Sequence, residues 1–231
     1  MYSITETVKV LIIINILMFV GAYSMPVLDD LFSLYYFENP LFQFWQYVTH
    51  MFMHANLPHL LFNMFALWMF GTPLERQWGS KKFIFFYFSA GLGAALIYTL
   101  SNYIGLELDF QTLAERGIPR EIAYEAMLSG RNYPNLGVLF KDFFVPAVGA
   151  SGAIYGVLVA FAFSYPDAKL MLIFLPIPIK AKYFVPALLL LDTFGGVFGS
   201  PLNIAHWAHL GGALFGFIMA MSWRKNQFRQ Y

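Results

Sequence analysis

Apolar residues run through this chain in long blocks, and most polar residues lie between them. Crossing a bilayer takes about 20 mostly apolar helical residues, with a range of roughly 17–25. Six blocks qualify: 10–26, 56–74, 83–103, 149–165, 183–199 and 205–223. The pattern predicts an all-α polytopic membrane protein, a single domain over 1–231 built on six transmembrane helices. The first block lacks a small-residue cleavage site, so it reads as a retained helix. The stretch LMLIFLPIPIKAKYFVPALLLL holds three prolines. Pro176 and Pro178 predict a turn or short hairpin between spans. Pro186 is expected in the first turn of the fifth helix, where a missing N–H costs little.

Residues 104–146 break the pattern with a charged stretch between the third and fourth blocks. Its segment LDFQTLAERGIPREIAYEAMLSG has helical apolar spacing interrupted at Gly117-Ile118-Pro119, and Gly130 marks a helix stop. The expectation is an extramembrane helical insertion forming a small cap on the outer face.

Composition supports the membrane reading. The chain is 59% hydrophobic and 12% charged, with mean hydropathy +0.59, whereas a soluble domain carries about 25% charged residues. A net charge of +1 gives no footprint for nucleic acid. With no Cys there is no disulfide framework, thiol nucleophile or thiolate metal site. Ten of the fourteen basic residues fall at one end of the spans, and the loops 27–53 and 200–204 contain none. Basic residues stay on the inner side. Both termini are then inside, and spans two, four and six all run from outside to inside.

Polar groups within a membrane are costly and need a reason. Span two opens with HANLPHLLFN, carrying His54, His59 and Asn63; span four opens with GASGAIYG, carrying Ser151; span six opens with AHWAHLGGALFG, carrying His206 and His209. All lie in the outer turns of co-directional helices, so one polar cluster can form just below the outer surface. His59 and Asn63 share a helix face at i, i+4, as do Ser151 and Tyr155. Gly152 and Gly156, and Gly212 and Gly216, form small-xxx-small pairs that let spans four and six approach closely. Gly149 precedes the serine.

A serine hydroxyl is a weak nucleophile until a base such as neutral His takes its proton. The oxyanion that follows needs preorganised donors, and His59, Asn63 and the Ser151 N–H are of the right kind. The economical arrangement is a Ser151–His209 dyad with Tyr155 stacked on the imidazole. Asp192, the charged residue well inside a span, would complete a triad only by reaching His209; a hydrogen-bonded structural role is the preferred reading. The five histidines make a metal site the rival reading, weakened by the lack of HExxH, Cys or several intramembrane carboxylates. No cofactor or metal is implied.

The motifs HANLPHLLFN, GASGAIYG and AHWAHLGGALFG, in this order on six helices, resemble the rhomboid family of intramembrane serine proteases. The resemblance implies Ser151 as nucleophile, His209 as base, His59 and Asn63 as oxyanion donors and Tyr155 as the residue packed on the histidine. It implies hydrolysis in or near the transmembrane segments of other membrane proteins within a lipid bilayer. The alternative is a non-catalytic rhomboid-like binder of transmembrane helices. The class suggests a bacterial plasma membrane, with cytoplasmic termini and a site opening to the outer side. Span five, with Gly195-Gly196 near its outer end, is the candidate substrate gate. The chain departs from the resemblance at Trp45-Gln46, where many rhomboids have Trp-Arg, and keeps an acidic-basic motif only as Glu75-Arg76.

Overall fold

The computed structural model describes residues 3–129, 140–172, 175–198 and 205–227, and forms an all-α membrane bundle. Helix α1 covers Glu6–Ser24 and is followed by the short α2, Val27–Phe32. The first loop then folds through α3, Gln46–Thr49, which tightens into a 3-10 turn over His50–Phe52. The second apolar block folds as α4, Leu57–Ala66, joined through a π turn at Leu67–Gly71 to α5, Thr72–Trp78. Pro73 has no N–H for the carbonyl four residues back, and a local π register is one way a helix absorbs such a break.

The third span outruns its expected end. Helix α6 runs Ser80–Glu115, 36 residues, or about 54 Å at 1.5 Å per residue, against a hydrocarbon core of about 30 Å. Residues 104–115, expected in the insertion, therefore continue the helix of the third block beyond the length a bilayer takes up. Gly117 turns the chain at φ 80° and α7, Arg120–Ser129, folds back. Leu106, Phe110 and Leu113 of α6 bury against Ala123 and Met127 of α7, with Phe140, Phe143 and Tyr36 completing a satellite core. Arg120 donates to both carboxylate oxygens of Glu107, each at 2.6 Å. The expected stop at Gly130 lies outside the described residues.

A short α8, Lys141–Phe144, leads to α9, Ser151–Ser164. Helix α9 is apolar all round, and Ala153–Phe161 is buried apart from Tyr155. This is the signature of a central helix; α6 and α11 (His206–Gln227) flank it. After α9, strands β1, Lys169–Leu172, and β2, Leu175–Lys180, form the expected hairpin. Helix α10, Ala181–Phe198, starts earlier than expected, so Pro186 lies inside it rather than in its first turn.

Helices α1 and α10 are peripheral. Ile13, Leu17 and Val20 on α1, and Leu190, Leu191, Phe194 and Val197 on α10, point outward. An apolar exterior of this kind suits lipid, and both helices have the length and hydropathy of membrane spans, as does α6.

Two polar fastenings hold the frame. Glu75 of α5 is buried, and it accepts from the backbone N–H groups of Thr7 and Val8, at 3.0 Å each, and from the hydroxyls of Thr5 and Ser80. It thus supplies the N-terminus of α1 with the acceptors that its own N-cap Thr5 does not provide. Burial alone would raise the Glu75 carboxyl, but the hydrogen bonds from Ser80, Thr5 and Thr7 together lower it to about 2. In the first loop, Gln46 is fully buried. Its amide nitrogen donates to the Leu41 carbonyl at 2.9 Å and the Asp30 carbonyl at 3.2 Å, and its oxygen accepts from the Tyr35 N–H at 3.2 Å. Glutamine thereby staples the first loop.

Candidate active site

The serine is placed by its surroundings on three sides. Ser151 is the first residue of α9. Before it, Gly149 adopts φ 123°, a conformation L side chains rarely take. A Cβ at Gly149 would stand 2.9 Å from the His59 ring. Gly149 donates its N–H to the His50 carbonyl at 2.9 Å, and Leu34 and Ala147 exchange backbone hydrogen bonds at 2.9 and 2.8 Å. The turn into α9 is thus tied to the first loop. Helix α9 has 14 residues, about 21 Å of helix, short of a hydrocarbon core of about 30 Å. A short helix of this kind sets its first residue below the surface when its other end reaches the opposite boundary.

The glycine pairs meet. A Cβ on Gly156 would stand 2.6 Å from the Ala90 Cβ and 3.0 Å from the Gly212 carbonyl, and one on Gly212 would strike the Gly152 backbone. Gly216 lies against Gly156. The α9 and α11 backbones therefore touch, and side chains at their starting ends come within hydrogen-bonding range.

They do so at Ser151 and His209, where Oγ and Nε2 are 2.8 Å apart. The Tyr155 ring lies parallel to the His209 imidazole, with centroids 4.2 Å apart and 11° between planes. The geometry then goes beyond the sequence expectation. Asp192 of α10 reaches His209: its Oδ1 lies 3.1 Å from His209 Nδ1 and 2.6 Å from His206 Nδ1, and its Oδ2 accepts from the Tyr155 hydroxyl. Asp192 is 5% exposed, so these partners stand in for water. With Asp192 ionised the carboxylate only accepts, which would put the hydrogen of each histidine on Nδ1 and leave His209 Nε2 as an acceptor for the Ser151 hydroxyl.

On the other flank, Asn63 is buried and donates one amide hydrogen to the His59 carbonyl at 2.9 Å, with a second hydrogen on the same nitrogen. The His59 ring sits against Gly149 and, edge-on, against His54 at 5.0 Å between centroids. His206 is held through Nδ1 by Asp192, and the His54 ring is buried beside His59.

A closed helical bundle with a hydroxyl, an imidazole and a carboxylate brought together at one end defines a class of polytopic membrane protein. This chain belongs to the rhomboid family, whose domain matches residues 41–226. It is 30% identical over 214 residues to the presenilin-associated rhomboid-like protein, mitochondrial, of Rattus norvegicus, covering 91% of this chain and 47% of that protein. The Homo sapiens protein of the same name is also 30% identical over 91% of this chain and 46% of its own length. RHOMBOID-like protein 12, mitochondrial, of Arabidopsis thaliana is 29% identical over 79% of this chain and 47% of its own. The chain thus spans about half the length of these curated relatives.

The relatives overturn one expectation. Their names place them in mitochondria, which conflicts with a bacterial plasma membrane. That expectation rested on the class of protein alone, and neither the class nor the charge pattern, which only orients a chain across a bilayer, says which bilayer it is. The multi-pass membrane character stands.

Proposed function

We propose that the chain is an intramembrane serine endopeptidase that hydrolyses peptide bonds in or near the transmembrane segments of other membrane proteins. The observation that carries this reading is the 2.8 Å approach of Ser151 Oγ to His209 Nε2. A protein that only holds helices has no use for a hydroxyl set against an imidazole whose second nitrogen is already held.

The steps follow from the geometry. Ser151 Oγ bonds to the scissile carbonyl carbon as its proton passes to His209 Nε2. The negative charge moves to the carbonyl oxygen, where the Ser151 N–H, the Asn63 amide and the His59 ring are the available donors. The C–N bond then breaks, and His209 returns the proton to the departing amine. Water repeats the sequence on the acyl-enzyme and frees Ser151. A substrate must present unwound backbone, tolerated at membrane depth only where it is buried in protein or meets water. A recessed serine at the starting end of a short helix supplies both conditions.

The test is cleavage of a membrane-embedded substrate by purified protein, with labelling by a serine-directed fluorophosphonate. Both are expected to vanish in Ser151→Ala and His209→Ala. Cleavage that persists in Ser151→Ala would overturn the reading.

A further inference from the structure

We infer that Asp192 is a positioning residue that fixes the tautomer and orientation of His209, so that the site works as a serine, histidine and aspartate on three different helices. The inference rests on the protease reading for its kinetic consequences, though not for its structural ones.

The argument starts from what Asp192 is doing in a span. It is the charged residue well inside the apolar blocks, and such a residue requires partners and a reason. Its partners are all on the site: Tyr155 of α9, and His206 and His209 of α11. The His209 contact, at 3.1 Å, is made through the nitrogen that does not face Ser151. An imidazole can carry its hydrogen on either nitrogen, and only the Nδ1–H form leaves Nε2 free to take the serine proton. The carboxylate selects that form. It also faces the positive charge that His209 gains during the reaction, the role such an aspartate plays in serine hydrolases of unrelated folds.

The remaining contacts define the competing explanation. His206 Nδ1 is closer to the same oxygen, at 2.6 Å, and its ring lies where a Cβ on Gly195 would stand. Asp192 could serve only to pin α10 to the bundle through His206 and Tyr155. A pin and a tautomer selector differ in what they predict for His209.

The first measurement is solution NMR of the protein labelled with 15N-histidine, which reads the tautomer directly. His209, assigned by its loss in His209→Ala, is expected as the Nδ1-protonated form in the wild type, and as a mixture or the Nε2-protonated form in Asp192→Asn. An Nε2-protonated His209 in the wild type, or no change in the variant, overturns the inference. This arm needs no activity, so a failure of the protease reading leaves it intact. The second measurement is the split between kcat and KM on a membrane-embedded substrate. Asp192→Asn is expected to lower kcat by roughly 10²–10⁴-fold with KM within about 3-fold, and Asp192→Glu to recover part of the loss. Asp192→Asn is expected to add nothing to His209→Ala, because it acts through that ring. A kcat within about 3-fold of wild type in Asp192→Asn, in a protein inactivated by Ser151→Ala, overturns the inference while leaving the protease reading in place. If Asp192→Asn does not fold, the wild-type tautomer decides.

Discussion

The Tyr155 ring is stacked on the His209 imidazole at 4.2 Å, while the hydroxyl of the same tyrosine donates to Asp192. One side chain thus holds the ring from its face and the carboxylate from its far oxygen. Removing the two contacts separately has different expected costs. Tyr155→Phe keeps the stack and is expected to lower kcat by no more than about 5-fold, or about 1 kcal/mol, the net worth of one ordinary hydrogen bond, because Asp192 keeps its two histidine partners. Tyr155→Ala loses both contacts, and a loss of more than about 10-fold is expected. Steady-state cleavage in detergent or liposomes compares them.

Asn63→Ala tests the oxyanion flank. Loss of a sole side-chain donor costs about 10²–10³-fold in kcat. With His59 and the Ser151 N–H also available, a fall of about 10-fold is expected, with KM little changed. A kcat equal to wild type would remove Asn63 from the site.

Gly156→Val addresses the packing that brings Ser151 and His209 together. The Cβ alone meets Ala90 at 2.6 Å and the Gly212 carbonyl at 3.0 Å, and neither a methyl fixed to a helix nor a backbone can yield easily. Overpacking of this kind costs about 1–3 kcal/mol. The expected outcome is a lower melting temperature together with loss of fluorophosphonate labelling, although no reacting group has been altered.

Glu75 gives the frame a defined response to acid. Its carboxyl is lowered in the fold to about 2 from an ordinary 4.3 or so. A lowered carboxyl contributes stability that is fully present above its unfolded value and is lost as pH falls through the folded one. Melting temperature is therefore expected to decline between about pH 4.5 and pH 2 in the wild type. Glu75→Gln is expected to melt lower at neutral pH and to flatten that part of the profile.

Gln46→Glu examines the first-loop staple. A carboxylate can still accept from the Tyr35 N–H but cannot donate to the Leu41 and Asp30 carbonyls. Burying a carboxylate that faces these two carbonyls is expected to open the loop, read as faster hydrogen exchange at Tyr35 and Gly149, whose amides are bonded into it.

These contacts also show where sequence reasoning reaches its limit. Pairs within one helix, such as His59 with Asn63 and Ser151 with Tyr155, follow from the 3.6-residue period and need no tertiary information. The approach of α9 to α11 was legible in the spacing of Gly152, Gly156, Gly212 and Gly216. The reach of Asp192 to His209 was not, because it depends on how α10 is rotated about its axis; a lone carboxylate within a span was the available signal. The overrun of α6 was hidden for a different reason. A hydropathy window ends where charges begin, at Glu107 and Asp109, whereas a helix ends where its hydrogen bonding does, beyond Glu115. The capping of α1 by Glu75 links residues 67 to 70 positions apart, a separation at which no local pattern exists.

The distribution of the site over α9, α10 and α11 has a consequence for biosynthesis. In chain order the serine is made first, the aspartate next and the histidines last. Until α11 docks, Ser151 faces no base, and until α10 is seated the imidazole faces no carboxylate. On the protease reading, a chain still being inserted carries a serine without its histidine, and the site is complete only when the bundle is.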